Sequence, residues 1–153
     1  MRSLHAICLL ALAVLLAGLP VRASDQALMV VTNAKAGVTT MSRDELEEVF
    51  VMSRRVWPNG TRIVVLNLET GTPERTHFDH VVLGLSPDQA ARYWIDRRTR
   101  GGGEAPMRLP NPAVVMKVVP VLPGSIGYAP EGPLAAGVRR VARIVNGNVV
   151  PER

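Results

Sequence analysis

The stretch IVVLNLETGTPERTHF, residues 63–78, contains the features that indicate the fold. Ile63–Leu68 is an apolar run of strand length and predicts a buried β-strand. Thr72 followed by Pro73 predicts the start of a helix. Threonine accepts an amide hydrogen as the N-cap, and proline needs no amide hydrogen in the first turn. A strand, a short glycine-containing turn and a helix in this order indicate an α/β protein.

Further strand and helix signals alternate on both sides of this stretch. Ser42–Glu45 and Ser86–Gln89 each predict a capping box at the start of a helix. Helical spacing of apolar residues marks one face of each of the three predicted helices. These faces are Leu46, Val49 and Phe50; Phe78, Val81 and Val82; and Ala91, Trp94 and Ile95. Strands are predicted at Leu28–Thr32, Ile126–Tyr128 and, as the last strand, Val138–Val145. Periodicity leaves Val114–Val119 open between helix and strand.

The N-terminus has the layout of a secretory signal peptide. Arg2 precedes an apolar run, Ala6–Leu19, and a small residue, Ala23, follows at the expected cleavage position. The run is shorter than the roughly 20 residues that span a bilayer. We therefore expect a signal peptide at residues 1–23 and one periplasmic or secreted domain at residues 24–153 that does not span the membrane. The only cysteine, Cys8, would be removed with the signal, which excludes disulfide and thiol chemistry.

Charge and composition exclude other classes of function. Without Arg2 and Arg22, 16 basic residues stand against 13 acidic ones, so the expected mature domain carries a net charge of +3. Aromatic residues make up only 4% of the chain, and we predict no nucleic-acid binding, which usually combines a basic stripe with aromatics. The sequence has no Gly-x-Ser-x-Gly elbow and no nucleophile paired with a base, so we predict that the protein is not an enzyme and needs no cofactor.

The turn before the second helix is the candidate ligand site. A glycine-containing turn that enters a helix presents free backbone amides and the positive end of the helix dipole to an anion. Gly71, Thr72 and Arg75 are the candidate anion-binding residues. This prediction depends on the amide hydrogens of the turn being free and facing solvent.

A metal site is the weaker alternative on the same helix. His77 and His80 are three residues apart, and Glu74 lies one turn earlier, so all three can share one helix face. Imidazole and carboxylate groups are suitable ligands for zinc or copper. The sequence offers no further histidine or cysteine in the expected mature domain to complete such a site, so we predict no bound metal.

Taken in order, these landmarks resemble a known family, the phosphate-binding (PstS-like) substrate-binding proteins of bacterial ABC importers. The matching pieces span nearly the whole expected mature chain: Val30–Asn33, Met41–Leu46 with Val49 and Phe50, Trp57–Thr61, Gly71 and Thr72 with Arg75 and Phe78, and Pro123–Tyr128. The resemblance implies a mixed sheet flanked by helices in a layered arrangement, like one lobe of a type II periplasmic binding protein. It also implies that Val114–Val119 is helical.

The resemblance further implies binding of phosphate or another small anion in connection with ABC transport. Gly71 and Thr72 match the family's Arg-x-x-Gly-Ser-Gly-Thr loop, but its arginine falls at Leu68, its second glycine at Pro73 and its threonine at Glu74. The alternative hypothesis is a ligand-free periplasmic interaction module that docks on an envelope receptor, a membrane transporter or a sensor.

Overall fold

Strands and helices alternate along the chain in the computed structural model, which describes residues 27–103 and 105–153. The strands are β1 (Leu28–Asn33), β2 (Val64–Leu68), β3 (Met107–Leu109), β4 (Ser125–Pro130), β5 (Val138–Val145) and β6 (Asn148–Pro151). The α-helices are α1 (Arg43–Phe50), α2 (Pro73–Phe78), α3 (Pro87–Thr99) and α4 (Pro112–Val118). A 3₁₀ turn follows β1 at Ala34–Ala36, and a π-helical turn, Asp79–Leu83, continues α2. The predicted signal peptide lies outside the described residues.

The six strands form one mixed sheet in the order β3-β2-β4-β1-β5-β6. β2 runs parallel to β3 and β4, whereas the pairs that involve β1, β5 and β6 are antiparallel. All six residues of β1 are buried, as is usual for a strand in the middle of a covered sheet. The predicted α/β class with a mixed sheet flanked by helices is therefore confirmed.

The helix starts follow the predicted caps. The Ser42 side chain accepts a hydrogen bond from the amide of Glu45, whose carboxylate accepts one from the amide of Ser42. Ser86 and Gln89 make the same reciprocal pair at the start of α3. These local bonds satisfy amide hydrogens that have no partner inside a helix, so sequence alone locates the helix starts.

An aromatic cluster joins α1 and α2 to the sheet. The rings of Phe78 and Tyr128 are stacked with their centroids 4.0 Å apart, and Phe50 packs against Phe78 at 4.4 Å. All three residues are fully buried. Because α2 is held over β2 and β4 by this cluster, the turn that precedes it is fixed at the carboxyl end of β2.

The valine-rich segment left open by periodicity is a helix, α4. Val115 on α4 is buried, and a Cβ atom at Gly127 of β4 would lie 2.8 Å from its Cγ1 atom. The missing side chain at Gly127 lets the helix approach the sheet closely. Tertiary packing therefore outweighs the β propensity of valine here.

The prediction that Val138–Val145 is the last strand is wrong, because β6 follows it. Asn146 and Gly147 connect the two strands with positive φ angles of 51° and 71°. Asn-Gly is the preferred pair for a two-residue hairpin turn of this kind. The signal for the hairpin is therefore present in the sequence, next to the strand that was predicted.

The apolar side chains of α3 do not enter the main core. Ala90 is the buried residue of this helix, whereas Trp94 is half-buried and Ile95 is exposed. Ala90, Trp94 and Ile95 line a pocket instead. No helix in the described part of the chain is both long enough and apolar enough to cross a bilayer.

Candidate functional site

A pocket of about 470 Å³ opens at the carboxyl end of β2. Its lining comes from β2, the Thr70–Gly71 turn, α2 with its π-helical extension and α3, together with Gly103, Ala105, Pro106 and Arg108. This volume lies in the range of about 300–1,000 Å³ that is typical of small-molecule sites. Two of the three predicted anion-binding residues, Gly71 and Arg75, line the pocket, and Thr72 is next to it in sequence.

The turn between β2 and α2 uses part of its own hydrogen-bonding capacity. The amide and hydroxyl of Thr72 both donate to the carbonyl oxygen of Glu69, at 3.3 and 3.0 Å. The Thr72 hydroxyl oxygen in turn accepts a hydrogen bond from the amide of Arg75 at 3.3 Å. Among the described residues, the amides of Thr70, Gly71 and Glu74 have no acceptor. Thr70 and Gly71 line the pocket, so their amides are the donors that the turn leaves for a ligand there.

The Arg75 side chain is turned inward. Its Nε atom donates to Asp79 Oδ2 at 2.6 Å, and its Nη1 atom donates to the carbonyl oxygen of Leu68 at 2.8 Å. Both side chains of this ion pair are buried. The guanidinium therefore ties α2 to the end of β2. Its second Nη1 hydrogen and its two Nη2 hydrogens are the donors that remain for the pocket.

Asp79 retains a free acceptor. Its Oδ1 atom is buried and has no hydrogen-bond partner among the described residues. Burial raises the pKa of the Asp79 carboxyl above its ordinary value, and the charge of Arg75 opposes this rise. An unmatched buried oxygen costs about 1–3 kcal/mol, so a donor that reached it would be stabilised.

Asn67 adds a free donor on the neighbouring strand. Its Oδ1 atom accepts hydrogen bonds from the Tyr128 hydroxyl at 2.5 Å and from the Leu68 amide at 3.0 Å. Since the Leu68 amide can only donate, the orientation of the Asn67 side chain is fixed and its Nδ2 hydrogens point elsewhere. Asn67 lines the pocket, and within the described residues its Nδ2 atom has no acceptor. Burial raises the pKa of the Tyr128 hydroxyl, which keeps it protonated as a donor.

Two arginines lie near the entrance of the pocket. Arg98 comes from α3 and Arg108 from β3, and both are exposed. In residues 27–103 and 105–153, neither guanidinium has an acidic partner or a hydrogen bond. Because Arg75 is balanced by Asp79, these two side chains give the described lining a net charge of +2.

Sequence reasoning did not identify Asn67, Asp79, Trp94, Arg98 or Arg108 as site residues. The sequence did contain a signal for Asn67 as a site residue, because it is a polar residue inside the apolar strand run IVVLNL. Asp79 lies four residues after Arg75 in the same helical segment, so the spacing of an ion pair was its signal. Trp94, Arg98 and Arg108 come from segments that only the tertiary structure brings together. Arg98 is one of the basic residues within Arg92–Arg100, a pattern that is typical of a solvated helix face.

The weak metal candidates lie apart from the pocket. His77 and His80 line a second hollow with Val81, Asn146 and Gly147. Glu74 lies in the first turn of α2 and lines neither hollow. In the described part of the chain, no three histidine, cysteine, aspartate or glutamate side chains group as metal ligands would.

Replacing Thr72 with alanine is expected to destabilise the protein by about 1 kcal/mol, the usual cost of losing a helix N-cap. The substitution removes the acceptor for the Arg75 amide and the donor to Glu69. Thermal or urea unfolding measures the effect. Thr72→Ser retains the hydroxyl and is the matched control, so equal losses in both variants would contradict the capping role.

Comparison with known proteins identifies the fold. No protein-family model and no curated protein matches this sequence. Among solved structures, an ABC-type phosphate transport receptor from Vibrio cholerae matches with a TM-score of 0.58 and 15% identity over 76% of this chain and 46% of the receptor. PstS from Borrelia burgdorferi matches with a TM-score of 0.52 and 14% identity over 68% of this chain and 44% of PstS.

A third structure extends the same likeness. A Clostridium perfringens protein with bound phosphate, described as a phosphate ABC transporter substrate-binding protein, has a TM-score of 0.61 and 16% identity. The match covers 81% of this chain and 47% of that protein. The chain thus spans less than half the length of each of the three proteins. At these identities the likeness establishes the fold, and the predicted resemblance in fold is confirmed.

Proposed function

We propose that this chain is an exported solute-binding module, rather than an enzyme, that takes a small anion in connection with ABC transport. The observation that carries the proposal is the pocket of about 470 Å³ beside the Gly71 turn. The likeness in fold to phosphate-binding proteins supports it. Gly71, Thr72 and Arg75 are the proposed anion-binding residues, with the free amides of Thr70 and Gly71 as the direct donors.

Phosphate itself is expected to bind weakly at this turn. Two guanidinium nitrogens of Arg75 already donate hydrogen bonds to Asp79 and to the Leu68 carbonyl. Pro73 has no amide hydrogen to donate. Glu74 adds a carboxylate beside the donors that an anion would use. Tight phosphate sites rely on free, bidentate arginine contacts, which this turn does not provide.

Titration calorimetry of the folded protein with inorganic phosphate tests the proposal. We expect heat of binding at millimolar phosphate, and Glu74→Gln is expected to tighten binding by about threefold to tenfold, since it removes roughly 1 kcal/mol of repulsion. Glu48→Gln on α1 is the matched control and should leave the affinity unchanged. If the folded protein gives no heat with phosphate, and none with organic anions, it is not a solute-binding module.

A docking function is the second candidate. Ile95 on α3 and Met107 on β3 are 55% and 50% exposed and lie on two elements that form the pocket. Exposed apolar side chains beside a cleft are typical of a surface that a partner covers. Affinity purification of the tagged protein from the periplasm, with Ile95→Lys and Met107→Lys variants, tests for a transporter or sensor partner. Recovery of the same protein with all variants would contradict docking through this surface.

A further inference from the structure

Three buried side chains form the polar floor of the pocket: Asn67, Arg75 and Asp79. They are 1%, 6% and 3% exposed. In the part of the chain that the structure describes, Asn67 Nδ2 has no acceptor and Asp79 Oδ1 has no donor. The floor therefore contains an unused donor at Asn67 and, at Asp79, a buried acceptor without a partner. A hydroxyl or amide group, which both donates and accepts, is the chemical group that matches this floor.

Apolar side chains form the walls above the floor. Ala90, Ala91, Trp94 and Ile95 project from one face of α3 into the lining, and Pro106 lies in the lining segment before β3. The Trp94 ring packs edge-on against Tyr93, with their centroids 5.0 Å apart and the planes at 86°, which restricts its orientation. Inorganic phosphate has no apolar surface to place against such walls. They favour a ligand with an apolar, preferably flat, body.

The net positive charge of the pocket lining comes from two exposed arginines at its entrance. Arg98 and Arg108 come from different elements, and Arg108 is the register partner of Asn67 in the parallel pair of β2 and β3. Side chains of paired residues in a sheet lie on the same face, so a ligand can reach from the floor at Asn67 to the guanidinium of Arg108. Arginine is well suited to hold a carboxylate through two parallel hydrogen bonds.

We propose that this pocket binds an organic carboxylate with an apolar body and a hydroxyl or amide group at its far end. The carboxylate lies at Arg98 and Arg108, the body packs against Trp94, and the far group binds the floor. This inference rests on the proposed solute-binding function and narrows its ligand class from small anions in general to amphipathic carboxylates.

A panel of four compounds tests each part of this assignment by titration calorimetry with the purified protein. The compounds are 4-hydroxyphenylacetate, phenylacetate without the far hydroxyl, 2-(4-hydroxyphenyl)ethanol without the carboxylate, and inorganic phosphate. We expect 4-hydroxyphenylacetate to bind at least about tenfold more tightly than each of the other three, since each lost polar contact in a desolvated site costs roughly 1.4 kcal/mol or more. Equal affinity for all four would overturn the proposal.

Charge-matched variants locate the site. Arg98→Gln combined with Arg108→Gln is expected to weaken 4-hydroxyphenylacetate at least about tenfold. The control is Arg62→Gln combined with Arg92→Gln, which removes two exposed arginines that do not line the pocket and should leave the affinity unchanged. Ligand-induced change in tryptophan fluorescence should disappear in Trp94→Phe, which retains the buried Trp57. Equal weakening by both double variants would indicate a general charge effect and overturn the assignment.

The outcomes separate this inference from the proposed function. Phosphate binding that is unaffected by Arg98→Gln with Arg108→Gln, without binding of any carboxylate in the panel, would overturn the inference and leave a solute-binding module at the Gly71 turn. Absence of binding for all four compounds to the folded protein would overturn both.

Discussion

Replacing Asp79 with alanine is expected to lower the free energy of unfolding by about 3–5 kcal/mol, the usual cost of leaving one partner of a buried ion pair alone. The Arg75 guanidinium would stay largely buried at the edge of the pocket, with only the Leu68 carbonyl as a partner in the protein. Urea unfolding followed by circular dichroism measures the loss. Asp79→Asn retains an acceptor for Arg75 Nε and should cost less than alanine.

An exposed ion pair on α3 is the control for the effect of burial on the Arg75–Asp79 pair. Asp96 and Arg100 form an ion pair on α3 with the same four-residue spacing, but both side chains are largely exposed. Asp96→Ala is expected to cost no more than about 0.5 kcal/mol, because exposed helix pairs contribute little. Replacing the buried pair together, as Arg75→Met with Asp79→Leu, should recover much of the stability that Asp79→Ala loses. Equal effects at Asp79 and Asp96 would contradict the role assigned to burial.

The sequence predicts the elements of this fold where the decisive interactions are local. Ser42, Thr72 and Ser86 each bond to an amide three residues away, and each does cap a helix. The strand at Val138–Val145 is also correct, but β6 and the short β3 were not predicted. β3 has three residues and is defined by its pairing with β2, which is a tertiary property that no local pattern encodes.

The candidate site was predictable only in part, for the same physical reason. Gly71 and Arg75 of the predicted turn lie in the lining of the pocket, and their role in binding stays a prediction. Their partners come from α3 and from the segment before β3, which are distant along the chain. The direction of the Arg75 side chain depends on Asp79 and on the Leu68 carbonyl. The sequence alone could not indicate that the guanidinium makes hydrogen bonds within the protein instead of pointing freely into the pocket.

Replacing Gly124 with alanine is expected to lower the free energy of unfolding by about 3–6 kcal/mol, from a positive φ angle, a steric clash and weakened hydrogen bonds together. Gly124 has a φ angle of 74°, and a Cβ atom there would lie 2.1 Å from the Arg62 carbonyl oxygen. Its own carbonyl oxygen accepts from Trp57 Nε1 at 2.9 Å and from the Val64 amide at 3.0 Å. A shift of this turn would therefore disturb the starts of both β2 and β4.

An alanine substitution at Gly60 separates the cost of the positive φ angle from the cost of the steric clash at Gly124. Its φ angle is 84°, close to that of Gly124, but a Cβ atom at Gly60 would meet nothing within 4 Å. Gly60→Ala should therefore cost only the backbone term of about 1–2 kcal/mol. Thermal unfolding of both variants, with near-ultraviolet circular dichroism to report the surroundings of Trp57, measures the difference. If the two alanine variants are equally stable, the contact with Arg62 does not constrain the turn, and the β2–β4 junction is more adaptable than its packing indicates.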